Sequence, residues 1–376
     1  MNRQRIINLA AAIAAITVFG FTLGLMYPLL SLIMEQQRVR PDLIGYNTAM
    51  QPLGIMLSIF AIPLAVKKFG AKRAVIASGL ATAAMILSYP FTTIFWWWFG
   101  LRILHGFFVS ALFAISEAWI VKFADGSWRS RILALYTSIL AASFGAGPSL
   151  ISFTGINGAT PFMIGAIVLV IATLPIFFVN DEAIDEADER PMSVIAFIGK
   201  APMLLLSVLM FAVIDSAFLS FLPVYCVIKG FSIETAALSL TAFIGGNTVL
   251  LMPIGWLADH MNKRHVMTAC IAVTAITVAL LSFAFGTSLF WILLVIGGAA
   301  SGGIYTVALG ELGERFSGHE LTTGTASFSA TWGLGALVGA LGSGIIFQAF
   351  GPDGLPYTIA IIFAAFALSR LALIRD

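Results

Sequence analysis

This sequence has little charge. Lys and Arg number 20 and Asp and Glu 18 in 376 residues, so 10% of the chain is charged, against about 25% in a soluble domain. Cysteine is almost absent, with Cys226 and Cys270 alone. Both fall inside apolar stretches without a His/Cys cluster, which excludes a disulfide scaffold and a thiolate metal site. No basic cluster suggests nucleic acid, and the net charge is only +2. There is no phosphate loop, no metal-ligand spacing and no nucleophile with a plausible base. The reading is therefore of a chain that is not an enzyme and needs no cofactor or metal.

What is there instead is apolar length. Hydrophobic residues make up 60% of the chain and the mean hydropathy is +1.00. No soluble core of this size could hide so much apolar surface, so the chain reads as an integral membrane protein. Its runs are long, where barrel strands would alternate in segments of about 10 residues. Twelve apolar segments lie near 6–34, 43–66, 73–90, 94–122, 131–152, 160–179, 202–228, 233–257, 265–286, 288–313, 321–349 and 356–372. Each approaches the roughly 20 residues that a helical crossing takes. The first run is longer than the apolar region of a signal peptide, about 7 to 15 residues, and reads as an uncleaved crossing.

Lys and Arg set the orientation. With the N-terminus inside, the cytoplasmic side holds Arg3, Arg5, Lys67, Lys68, Lys72, Arg73, Lys122, Arg129, Arg131, Arg190, Lys200, Lys263, Arg264, Arg315 and Arg375. The other side holds Arg38, Arg40 and Lys229. This bias predicts a multi-pass protein of a bacterial-type inner membrane with both termini cytoplasmic. Trp96, Trp97, Trp98 and Trp291 then sit at outer-face helix starts, where an aromatic belt is expected.

The most polar stretch, Asn180–Arg190, lies near the middle. It divides the chain into a half over 1–180, a cytoplasmic linker over 181–200 and a half over 201–376. The halves echo each other at an offset of about 195. Tyr27-Pro28 matches Leu222-Pro223, Gln51 falls near Asn247, the basic loop Lys67–Arg73 matches Asp259–Arg264, Trp96 matches Trp291, and Gly147 matches Gly342. A common offset argues for two parallel repeats, a transporter plan. The expected fold class is all-α: twelve transmembrane helices in two pseudo-symmetric six-helix halves.

Gly255-Trp-Leu257-Ala258-Asp259-His-Met-Asn262-Lys263-Arg264 resembles the loop motif Gly-x-Leu-Ala-Asp-Arg-x-Gly-Arg-Arg of the major facilitator superfamily. Asn262 replaces the second glycine, a mild change because Asn tolerates the left-handed conformation. The first-half copy, Pro63–Arg73, keeps the turn glycine Gly70 and the basic tail but has Lys67 where the family usually has Asp. Arg102-Ile-Leu-His105-Gly106 is similar to the Arg-x-x-Gln-Gly element of the family's drug-proton antiporters, and Ser143-Phe-Gly-Ala-Gly147-Pro148 to their Gly-x-x-x-Gly-Pro motif. With Ser116-Glu117-Ala-Trp119, the fourth segment resembles the YcaD-like branch. The resemblance spans essentially the whole chain. It implies a secondary transporter whose first, fourth, seventh and tenth helices line a central cavity.

The ionisable residues inside the segments concentrate on three of those helices. Arg102, His105 and Glu117 are on the fourth, Asp215 on the seventh and Glu311 near the inner end of the tenth. An unpaired charge at the bilayer centre costs roughly 2.5 to 3.5 kcal/mol on insertion scales, so these residues are expected to face water, a partner or a substrate. Asp215 lies near the middle of its span among Phe211, Ile214, Phe218 and Leu219. A carboxyl so placed can take a proton from one side and release it to the other. Arg102 stays protonated and can tune a neighbour or pair with an anion. His105, three residues on, shares its face and suits a proton relay.

Asp259, Arg264, Glu117 and Glu311 are expected in gating contacts, the two glutamates with Lys122, Arg129 or Arg315. Gln51, Asn247, Tyr225 and Tyr305 are expected to line the cavity. The functional expectation is proton-coupled efflux of a small organic compound by a monomer in the lipid bilayer. Proton-symport uptake of a metabolite, with Arg102 on an anionic group, is the alternative, and a non-transporting sensor or lipid-handling protein is a third.

Overall fold

The computed structural model describes residues 3–92, 94–123, 129–179 and 194–375. Most of the linker, 181–193 with Arg190, and the side chains of Arg3, Arg5, Arg129, Arg131 and Arg375 lie outside the described residues. Fourteen α-helices run in chain order among them: α1 Arg3–Gln36, α2 Pro41–Phe69, α3 Ala71–Ser88, α4 Phe95–Phe123, α5 Arg129–Thr154, α6 Thr160–Thr173, α7 Val194–Lys200, α8 Pro202–Ile228, α9 Ile233–Val249, α10 Leu251–His260, α11 Lys263–Ala284, α12 Ser288–Arg315, α13 Gly318–Phe350 and α14 Gly354–Arg375. Short 3₁₀ turns, Tyr89–Phe91 and Leu174–Phe178, extend α3 and α6.

Eleven helical stretches are long and apolar enough to cross a membrane among the described residues. The remaining segment, expected at 131–152, is the helix α5. Its Ser130, Thr137, Ser138, Ser143, Ser149 and Ser152 dilute its hydropathy. Their hydroxyls are spent inside the helix where the bonds are seen: Ser143 donates to Ile139 O at 2.7 Å and Ser149 to Gly145 O at 2.9 Å. The helix exteriors are strongly apolar, with Phe60, Phe91, Phe153 and Met252 between 78% and 88% exposed. Lipid tails, not water, are the solvent such surfaces suit.

Two details depart from the sequence reading. The eighth segment is broken at Leu250 into α9 and α10. Pro253 has no N–H to give to Val249 O, so the ladder cannot run through. The short α7, not expected, precedes α8. Elsewhere the local chemistry fits: Ser232 caps α9 by accepting from Thr235 N, and Asn262 caps α11 by accepting from Arg264 N at 2.9 Å. The turn between α2 and α3 is made at Gly70, φ 83°.

The chain divides into two compact units, Met1–Gln36 with Asn47–Ala187, and Gln37–Tyr46 with Asp188–Asp376. In the first unit α1 packs on α5 and α4, and α3 on α4 and α6. In the second α8 packs on α13, and α12 on α11 and α9.

The repeat is written in glycines. A Cβ on Gly54 would lie 2.0 Å from Ile103 O, and one on Gly106 2.1 Å from Gln51 O, so α2 and α4 touch backbone to backbone. The same pair of contacts recurs 192 residues later (54 to 246, 106 to 298), between Gly246 and Val295 O and between Gly298 and Phe243 O. Gly147, set against Gly24 and Leu25 of α1, returns at the same interval (147 to 339) as Gly339 against Val213 O of α8. The sequence pairing of Gly147 with Gly342 is thus displaced by about one turn, and Gly342 has open space around its Cβ position.

Gly106→Val should lower the melting temperature of the detergent-purified protein, because overpacking a close contact costs about 1–3 kcal/mol. Gly100→Val, on the same helix with nothing within 4 Å of its Cβ position, should not. Equal melting temperatures for the two variants would mean that α2 and α4 are not locked at Gly106.

Candidate functional site

In the first unit, α4 brings Arg102 into the interior with 0% exposure. The α2–α4 contact at Gly106 and Gln51 sets the distance. Asn47 and Gln51 are one turn apart on α2, hence on one face. Arg102 Nε donates to Asn47 Oδ1 at 3.1 Å and Nη1 to Gln51 Oε1 at 3.0 Å. A guanidinium only donates, so both amides must present oxygen to it and turn their NH2 groups away. The Arg102 guanidinium also lies 5.5 Å from the centre of the Tyr27 ring on α1, within cation–π range.

This network is cationic and incomplete. No carboxylate pairs with Arg102 among the described residues. Arg102 Nη2, Asn47 Nδ2, Gln51 Nε2 and Thr48 Oγ1 are buried without a hydrogen-bond partner, and so are both ring nitrogens of His105. Native proteins leave few such atoms, and each needs an explanation. Here the buried guanidinium keeps one N–H group without an acceptor, and two amide NH2 groups beside it lack acceptors too. Asn47 was missed by the sequence reading. Its spacing of four from Gln51 was the available signal, but only the tertiary neighbour Arg102 gives that spacing a meaning.

In the second unit, Asp215 is half-buried on α8 and makes no hydrogen bond or ion pair among the described residues. Its helix neighbours are aromatic: Phe211 lies tilted against Tyr305 with ring centres 5.3 Å apart, and Phe218 tilted against Phe243 at 4.8 Å. The next residue, Ser216, donates to Ala336 O at 2.8 Å and ties α8 to α13. Asn247 is half-buried, with its Oδ1 occupying the space a side chain on Gly302 would take.

Tyr225 stands with a different group. Its hydroxyl donates to Asp353 Oδ1 at 3.0 Å, and Lys229 Nζ reaches the two carboxylate oxygens at 3.2 and 3.0 Å. Partial burial alone would raise the Asp353 carboxyl, but the hydrogen bonds from Lys229, Ser282 and Tyr225 and the Lys229 charge outweigh it and hold it below the usual carboxylate range.

Of the residues expected in gating contacts, Arg264 and Glu311 line one cavity of the second unit together with Arg315. Glu311 is buried and accepts from Arg315 Nη1 at 3.1 Å. Asp259 and Arg264 are exposed and form no ion pair among the described residues, and Glu117 is exposed on α4. The side chain of Arg129, an expected partner, is outside the described residues. Trp96 and Trp97 are exposed at the start of α4, while Trp98 is buried and donates from Nε1 to Thr92 O at 3.2 Å.

Comparison with known proteins agrees with this architecture. The chain matches the Major Facilitator Superfamily model over residues 12–248 and 230–376. It is 24% identical over 358 residues to the uncharacterized MFS-type transporter YfkF of Bacillus subtilis (strain 168), covering 92% of this chain and 90% of that one. It is 20% identical over 364 residues to the uncharacterized MFS-type transporter YcaD of Shigella flexneri, covering 96% and 94%. Among solved structures, the nucleoside transporter NupG superposes with a TM-score of 0.79 at 13% identity over 100% of both chains. A bacterial homologue of the human lysosomal transporter Spinster, inward-facing and unoccupied, gives 0.77 at 13% over 98% and 97%. At that identity the structural likeness speaks for the fold alone. With a family model matched across nearly its whole length and a helical repeat of the same plan in each unit, the chain belongs to the Major Facilitator Superfamily and is a multi-pass membrane transporter.

Proposed function

We propose that this chain is a proton-coupled secondary transporter of a small organic anion, with Arg102 receiving the anionic group and Asp215 carrying the proton. The single observation behind it is the buried Arg102 guanidinium, held by two neutral amides and by no carboxylate among the described residues. Such a charge is tolerated where function requires it.

The charge also bears on direction. Bringing one negative charge in against an inside-negative potential costs about 2.3 kcal/mol per 100 mV. A proton moved with the anion cancels that cost, whereas an exporter of anions gains it without any proton. Coupled use of Arg102 and Asp215 therefore favours symport uptake. Proton-exchanging efflux is the second reading. It is supported by the Arg102–Gly106 sequence and by Gly147, whose contact with α1 gives the antiporter-like stretch of α5 a defined seat.

In this reading a half over 1–180 and one over 201–376 alternate access in a bacterial inner membrane. Both termini face the cytoplasm and the working unit is a monomer. The Lys and Arg distribution supports the orientation.

The test pairs two assays on cells overexpressing the protein. Intact cells are offered labelled small carboxylates and phosphates at pH 6 and pH 8, and everted vesicles are offered the same panel with a pH-sensitive dye. Uptake that rises at pH 6 carries the first reading. Proton release from acidified vesicles on adding a compound carries the second. Transport of neutral or cationic compounds alone, with no anion among the substrates, would overturn the role of Arg102.

A further inference from the structure

The second unit contains a cavity of about 280 Å³ at one end of its helices, where α8 and α11 start and α12 and α14 finish. It is lined by Lys200, Arg264, Arg315 and Arg370, with Glu311 as the one carboxylate. Lys200 is ion-paired with Glu320 and Arg315 with Glu311. Arg264 and Arg370 form no direct ion pair among the described residues, although the Glu311 carboxylate acts on Arg370 through space. Arg370 is only 6% exposed, and its guanidinium rests on two hydroxyls, Thr268 Oγ1 at 3.4 Å from Nε and Ser207 Oγ at 3.3 Å from Nη1. A buried guanidinium with such long, neutral partners retains most of its demand for an anion.

A second feature converges on the same space. Ala201, Pro202, Met203 and Leu204, the start of α8, form another wall. No side chain caps this helix. Pro202 has no N–H, and the amides of Met203 and Leu204 lie in the first turn, where an α-helix leaves its donors free. A helix N-terminus favours anions through these donors and its dipole. A buried arginine and the uncapped start of a 27-residue helix thus face one cavity.

We propose that this cavity binds a phosphate group. Arg264 and Arg370 would take two of its oxygens, and the α8 amides a third, an arrangement that suits a tetrahedral oxyanion better than a planar carboxylate. The site lies at the ends of the spans, at headgroup level. Basic pockets between transmembrane helices at that level recognise acidic phospholipids, and Met203 and Leu204 give one wall an apolar character. A phosphorylated solute would present the same chemistry. This site is in the second unit, and it stands or falls independently of the role proposed for Arg102 in the first.

The full-length protein in nonionic detergent is titrated with short-chain phosphatidylglycerol, short-chain phosphatidylcholine and inorganic phosphate, and binding is read from the rise in melting temperature, which follows ligand concentration over Kd. Phosphatidylglycerol should bind the wild type about tenfold more tightly than it binds Arg264→Gln or Arg370→Gln, the effect of one charge-assisted hydrogen bond. Lys67→Gln, on an exposed residue of the first unit, should bind as the wild type does. Arg264 is exposed, so that variant separates lost binding from lost folding. Binding of phosphatidylglycerol but not free phosphate assigns the site to lipid, and comparable binding of both assigns it to a phosphorylated solute. Equal affinities in the wild type and both arginine variants, or equal binding of phosphatidylcholine, would overturn the site.

Discussion

Asp215→Asn should abolish gradient-driven accumulation while leaving a folded, inserted protein that still exchanges substrate downhill. The side chain keeps its shape and loses its ability to carry a proton. Nothing in the fold is expected to suffer, because Asp215 makes no hydrogen bond or ion pair among the described residues. The seat of α8 is fixed next door, by Ser216 on Ala336 O, and by the approach of Gly339 to Val213. Asn is as polar but carries no charge to be held within the span, so melting should be unchanged or higher. The check is a pair of fluxes in proteoliposomes, one against an imposed pH gradient and one at equal pH with substrate on both sides. Full uphill transport by the variant sinks the coupling role. Loss of both fluxes together with a lower melting temperature would make Asp215 a structural group.

Much of this fold is legible in the sequence. The helices were legible because a bilayer crossing needs a long apolar run, and a run interrupted by Arg40-Pro41-Asp42 or Phe350-Gly-Pro-Asp353 has few other places to turn. The break at Leu250 was less legible. Pro253 announced it, but Pro28 and Pro148 lie inside unbroken helices, and only the surrounding packing decides which proline ends a ladder. The repeat was legible in outline and blurred in register. Matching Gln51 with Asn247 gave an offset near 195, whereas the backbone contacts of Gly54 and Gly106 place it at 192. Glycines that hold helices together carry the register, because their neighbours leave no room to slip. Polar residues that serve one half alone need not repeat. Arg102 stood out as a charge in an apolar run, while Asn47 did not, because an amide two turns into a helix looks like an interfacial residue until a guanidinium is found against it. The basic cavity was hidden for a similar reason: Lys200, Arg264, Arg315 and Arg370 are scattered over 171 positions (200 to 370) and meet only where four helices end.

Arg102→Met should weaken binding of the anionic substrate by about 10- to 100-fold, since one or two charge-assisted hydrogen bonds are lost, with little loss of stability. Two opposing effects set the stability. The substitution strands Asn47 Oδ1 and Gln51 Oε1, at about 1–3 kcal/mol for each buried acceptor left unmade, and forgoes the Tyr27 ring contact, about 0.5–2 kcal/mol. Against that, it removes a fully buried cation whose desolvation costs several kcal/mol and which no carboxylate among the described residues offsets. The sums are comparable, so the melting temperature should move by a few degrees at most. Arg102→Lys separates charge from geometry. It keeps the positive charge but cannot direct two parallel donors at Asn47 and Gln51, and should recover only part of the affinity. A purely structural arginine makes the opposite forecast: both variants melt well below the wild type, and their folded fraction binds the anion normally. Affinity and melting measured on the same preparations decide between a strut and a receptor, because the two roles move different observables.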